Sequence, residues 1–167
     1  MSEIPAQDPA TRLWLRHALA TLAYRAGKTL RDTPASFGEF RASADSPRVV
    51  DIVSHMGDLI EAFGRRLNGE SRWTVATPQA LEPEVARFFA MLKAADDTLA
   101  SGAPIQCDPG TLFQGVLADA LTHTGQLAML RRLAGLKMKG EAYARADIRI
   151  GTVGIEQTPA NPEFEFD

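Results

Sequence analysis

Apolar residues recur at steps of three and four in four separate runs of this chain, and each run is closed by proline, glycine or asparagine. That period is the mark of amphipathic helices. Asp8-Pro9 opens the first run, with Asp as cap and Pro at the first helical position. Leu15, Ala18, Leu19, Leu22, Ala26 and Leu30 form its stripe before Asp32-Thr33-Pro34 stops it. After a loop rich in Pro, Ser, Gly and Ala, Ser46-Pro47 opens the second. Val49, Val53, Met56, Ile60, Phe63 and Leu67 make its stripe, and Asn68-Gly69 ends it. The third has two candidate openings, Thr77-Pro78 and Glu82-Pro83. An interior proline breaks the helical ladder, so the spacing favours a short turn at 78–82 with the helix after it. Val85, Phe88, Phe89, Leu92, Ala95 and Leu99 follow. The fourth starts near Asp108–Thr111, carries Phe113, Val116, Leu117, Ala120, Leu121, Leu127, Ala128 and Leu130, and stops at Gly135.

The expected fold is all-α, a four-helix bundle in one domain over 1–167. Its helices fall at about 9–31, 47–68, 83–101 and 110–134, followed by a non-helical C-terminal arm over 145–167. The connection between the second and third helices reads as short, which favours up-down-up-down order. The arm alternates Ile148 and Ile150, then carries two glycines and two prolines. It reads as a short strand or an ordered segment along the bundle, with 147–157 covering one end and shaping a pocket.

The formal net charge is −3, and no Lys/Arg stripe is present, so nucleic acid is not an expected partner. No run approaches a membrane span. Cys107 is the only cysteine, so the fold does not rest on an internal disulfide. The polar start, MSEIPAQDPATR, lacks the pattern of a signal peptide. A cytoplasmic setting is expected.

Of the three histidines, two stand out. Asp119 and His123 lie one helical turn apart and share a face with Leu112, Val116, Leu127 and Leu130. A carboxylate and an imidazole beside a leucine ridge require a partner. His55 flanks the stripe of the second helix. If the second and fourth helices pack together, His55 meets the pair, and two imidazoles and a carboxylate converge. That set suits zinc, iron(II), nickel or manganese and leaves coordination positions open. A metal-free Asp119–His123 hydrogen bond with a solvent-facing His55 is the plainer alternative. His17 reads as surface or a subunit contact, and Cys107 as a small buried thiol. The GTVG glycines lack the following helix of a phosphate loop. Asp58 and Glu61, by helical count, face solvent.

The segment LTHTGQLAMLRRLAG resembles the signature of the DinB/YfiT-like superfamily, whose last long helix carries an H-x-x-x-H-R-G-Q pattern, a Leu-Arg pair and a closing glycine. His123, Gly125, Gln126, Leu127, Leu130, Arg131 and Gly135 match it. RVVDIVSHMGDLIEAF is similar to the second helix of that family, with His55 in place of its single histidine. The likeness extends over roughly residues 10–136. It implies a four-helix bundle, a three-residue metal site, frequent homodimers, and metal-dependent chemistry on a low-molecular-weight thiol, either S-transfer to an electrophile or isomerisation. Two departures stand against it. Asp119 replaces the first histidine, which shortens the ligand and adds a negative charge, and Thr124 replaces the arginine. Gln126 is then expected to support a ligand or touch the substrate. A non-catalytic stress or binding protein with a structural or vestigial metal is the alternative, and a hydrolase using a metal hydroxide ranks below both.

Overall fold

The computed structural model describes residues 7–167; Glu3, part of the polar start, lies outside them. Helix α1 spans Pro9–Leu30, α2 Val49–Leu67 and α3 Leu81–Ala100. The fourth helix covers 109–133 in three pieces: an α-helical turn at Pro109–Thr111, a π-helical stretch at Leu112–Leu117 and an α-helix at Ala118–Leu133. The all-α expectation holds, and the four stripes form one continuous core.

The expected punctuation operates. Asp8 accepts from the Ala10 amide, and Asp108 accepts from the Thr111 amide. Gly69 and Gly135 adopt left-handed backbone, with φ of 81° and 76°, just beyond their helices, as helix-terminating glycines do. Two openings shift. Helix α2 begins at Val49, where the Asp51 carboxylate accepts from the Arg48 amide at 3.0 Å. Helix α3 begins two residues before Pro83. Proline is accommodated there because first-turn amides have no intrahelical acceptor to lose.

The topology differs from up-down-up-down. Arg16 of α1 meets Asp96 of α3, and Arg12 donates to the Leu99 carbonyl. Trp14 packs on Phe113 of the fourth helix, while Arg131 reaches the end of α1. These pairs make α3 antiparallel to α1 and the fourth helix parallel to it. Helix α2 pairs Ser54 and Asp58 with Arg87 of α3, and its later residues 60–68 line a cleft with 91–98. Helices α2 and α3 are therefore parallel, and the order is up-down-down-up. Residues 68–80, expected to be a short link, form an extended strap that returns along α2. Such a segment reaches about 40 Å, more than the roughly 28 Å of α2 that it retraces.

A buried ionic cluster ties the strap down. Asp58, expected on the surface, is only 3% exposed. It accepts from the Ala76 amide of the strap and from Arg87 at 3.0 Å. Glu84 accepts from the Gln79 amide and from Arg87, and Arg87 donates to the Ser54 carbonyl at 2.6 Å. Burial of the two carboxylates is offset by one guanidinium and two backbone amides. Glu61 stays half-exposed, bonded to Arg65 and Thr74.

The arm is anchored rather than frayed. Strand β1, Gly140–Glu141, pairs antiparallel with β2, Glu165–Phe166. Buried Glu141 accepts from the Tyr24 hydroxyl and from Lys28, both at 2.7 Å, and Lys28 also holds Glu165 at 2.8 Å. That ammonium keeps the Glu165 carboxyl below the usual range. Val153 is buried, and Ile148 and Ile155 pack on the core. Gly151 lies beside Arg16 and Ile155 beside Gly27, so the arm runs along α1, and only its Ile155 and Glu156 reach a cleft of about 460 Å³ with Leu30, Leu81 and Val85.

Gly57 is where α2 admits the Arg87 guanidinium. A Cβ there would lie 2.7 Å from its central carbon, whereas one at Gly64 meets nothing within 4 Å. Gly57→Ala is expected to lower stability by about 1–2 kcal/mol in urea denaturation, against the intrinsic helix preference. Gly64→Ala is expected to raise it by about 0.5–1 kcal/mol.

Candidate metal centre

Helix α2 and the fourth helix pack side by side and antiparallel, which meets the condition for His55 to reach Asp119 and His123. Asp119 sits in the first turn after the π-helical stretch. That stretch inserts about one residue into the helical repeat and turns everything beyond it by about 100° relative to a uniform α-helix. One consequence overturns an expectation: Phe113, read as core, is exposed and packs edge-on against exposed Trp14 with centroids 5.1 Å apart. The Asp119–His123 face is also wetter than its leucine neighbours indicate. Leu112, Val116, Leu127 and Leu130 are buried, yet the side chains of Asp119, His55 and His123 are 44%, 38% and 19% exposed. The pair lies on the shoulder of the core ridge.

The three residues converge. One donor atom from each lies within 4.8 Å of the others. The His123 Nε2 is 3.3 Å from Asp119 Oδ1, and the His55 Nε2 is 3.5 Å from Asp119 Oδ2. The imidazole planes stand at 89° with centroids 4.9 Å apart. Both N···O separations exceed the about 2.9 Å of a good N–H···O bond. They match the roughly 3.4 Å between two donors that each sit about 2.1 Å from a tetrahedral ion. The group can therefore hold a metal ion between its three side chains.

No family model, curated protein or solved structure matches this chain. The site therefore rests on its own geometry.

Gln126 contacts one member of the group. Its side-chain carbonyl lies 2.8 Å from His123 Nδ1. With that oxygen as acceptor, Nδ1 carries the proton and Nε2 turns its lone pair toward Asp119, the tautomer a metal requires. Other residues of the LTHTGQ segment have structural tasks. Thr124 is buried and its hydroxyl donates to the Ala120 carbonyl. Arg131 donates from one nitrogen to the carbonyls of Lys28, Thr29 and Arg31 at 2.8–3.1 Å, so it caps the C-terminal end of α1.

Trp73 is the site residue that the sequence did not single out. It sits on the strap, with its ring centroid 6.0 Å from that of His55. Only the returning path of 68–80 brings it there, and the one available signal was a tryptophan in an otherwise polar loop. His17 is exposed, as expected. Cys107 is half-buried, and burial pushes its thiol up from the ordinary value, which leaves little thiolate at neutral pH.

The purified chain is expected to take up one transition-metal ion, counted by elemental mass spectrometry. His55→Ala, Asp119→Ala and His123→Ala should each abolish uptake, and Gln126→Ala should weaken it by about 10- to 100-fold. Full uptake by Asp119→Ala would remove the carboxylate from the ligand set. Because Trp73 neighbours His55, titration with copper(II) should quench tryptophan emission in wild type and in Trp14→Phe, but not in Trp73→Phe.

Proposed function

We propose that this chain is a metal-dependent protein of the DinB-like type, which holds a divalent transition metal through His55, Asp119 and His123 and acts on a low-molecular-weight thiol. The observation that carries the reading is the convergence of three donors from two helices, within 4.8 Å of one another, at a place solvent can reach. Two imidazoles and one carboxylate fit zinc, nickel, iron(II) or manganese. A purely structural site is ordinarily closed by four protein donors; this one offers three and leaves an approach.

When bound, such an ion supplies Lewis acidity that keeps a thiol sulfur deprotonated at neutral pH. The chain's own residues do the rest. Asp119 offsets the charge of the cation and, against an all-histidine set, shifts preference toward harder ions. Gln126 fixes the His123 ring. Trp73 shields one side of His55 from water. The reaction class that follows is S-transfer from the thiol to a small electrophile, or thiol-dependent isomerisation. A homodimer and a cytoplasmic setting belong to the same proposal; no helix among the described residues is long and apolar enough to cross a membrane.

The test is turnover of common bacterial thiols with a chromogenic electrophile by the metal-loaded protein. Expected is a rate that disappears on chelation, returns with metal, and falls at least 100-fold in His55→Ala. Stoichiometric metal with no turnover for any pair would favour a non-catalytic binding protein.

A further inference from the structure

Beside the triad lies an apolar cleft of about 470 Å³, lined in part by Pro47, Ile52, Gln126, Met129, Leu130 and Leu133. No charged side chain lines it. Two other clefts of similar size, one by the arm and one past the fourth helix, are lined by charged residues and share no residue with the turns that carry the triad. This one is built from those turns. Ile52 is one turn before His55, and Gln126 is one turn after His123. Because the two helices run antiparallel, both displacements are toward the same end, and less than one pitch of about 5.4 Å along either helix separates cleft from ligand. Gln126 belongs to both, bonding His123 while it lines the cleft.

The lining is apolar and open to water. Met129 and Leu133 are 63% and 59% exposed although they border a concave surface. Exposed apolar side chains around a concavity mark a binding site, and its volume falls in the range of small-molecule pockets, roughly 300–1,000 Å³. Methionine at the rim adapts to varied apolar shapes.

We propose that this cleft is the acceptor subsite: it takes the alkyl or aryl portion, about four to eight carbons, of a small molecule whose polar head sits at the triad. The inference rests on the metal reading above and adds the chemical class of the second substrate. The electrophile is an apolar one, with no charge on the part that enters the cleft.

Gly125 provides the test. It lines the cleft and is exposed in regular helix, and a Cβ there meets nothing within 4 Å. Leucine at this position fills the mouth of the cleft and leaves the bundle intact, which thermal denaturation checks. Straight-chain hydroxamates carry a metal-binding head and a tail of chosen length. Isothermal titration of zinc-loaded protein is expected to show affinity rising about two- to fourfold per methylene from aceto- to octanohydroxamate. In Gly125→Leu the rise with chain length should vanish; in Gly125→Ala it should persist. Equal affinity along the series in wild type, with acetohydroxamate still bound, overturns the subsite and leaves the metal centre standing. A length dependence that survives in Gly125→Leu overturns it too. A flat series together with a dimer that dissociates in Gly125→Leu assigns the cleft to a second copy of the chain and overturns the subsite. Failure to take up zinc overturns the metal reading and this inference with it.

Discussion

The parallel run of α2 and α3 is the constraint on which the rest of this structure depends. Two consecutive helices that point the same way need a connection long enough to retrace the first. Residues 68–80 provide it, as an extended strand of chain without ladder partners of its own. Such a segment must find acceptors and donors elsewhere, since backbone polar groups near a core cannot be left unpaired. Asp58 and Glu84 supply acceptors to the Ala76 and Gln79 amides, and Arg87 neutralises both carboxylates. Removing Arg87 leaves two buried carboxylates without their cation, which costs about 3–5 kcal/mol. Gly57 completes the arrangement by leaving room for the guanidinium. The topology and the ionic cluster imply each other.

The same constraint assembles the His55–Asp119–His123 group. Parallel α2 and α3 leave the other flank of α2 to the antiparallel fourth helix, and there His55 faces Asp119 and His123. The strap, on its way back, carries Trp73 alongside His55. The π-helical stretch before Asp119 sets the rotation of the Asp119–His123 pair. Without its extra residue, Asp119 would turn by about 100° around the helix axis. Irregularity in the fourth helix and irregularity in the connection thus converge on one small region, while the regular parts of the bundle carry the core.

Legibility in the sequence follows the same division. The stripe Val49, Val53, Met56, Ile60, Phe63 and Leu67 is buried throughout, because a period of 3.6 is a local property written in the residues themselves. The stops at Asn68-Gly69 and Gly135 were equally plain, since left-handed backbone favours glycine. His55, Asp119 and His123 were legible as misfits, polar groups at the edge of apolar stripes. Helix direction was not legible: a loop of proline, threonine and glutamate carries no mark of where it leads. Asp58 was misread for the same reason, because its burial comes from a strap that helical counting on α2 does not include. Phe113 was misread because counting at 100° per residue fails across a π turn, which has no dependable signature in composition.

The groups that hold the fold together lie off the triad. Arg87 locks α2 to α3, Lys28 and Tyr24 lock the arm through Glu141, and Arg131 caps α1. Arg87 and Lys28 pair with buried carboxylates, and Arg131 donates to helix-end carbonyls. The triad differs in kind. Its carboxylate faces two ring nitrogens at 3.3 and 3.5 Å, and Gln126 lies 2.8 Å from the other nitrogen of one of those rings. All three side chains are partly in water. The triad can hold a cation, and among the described residues no cluster that ties the helices or the arm together includes any of its three residues.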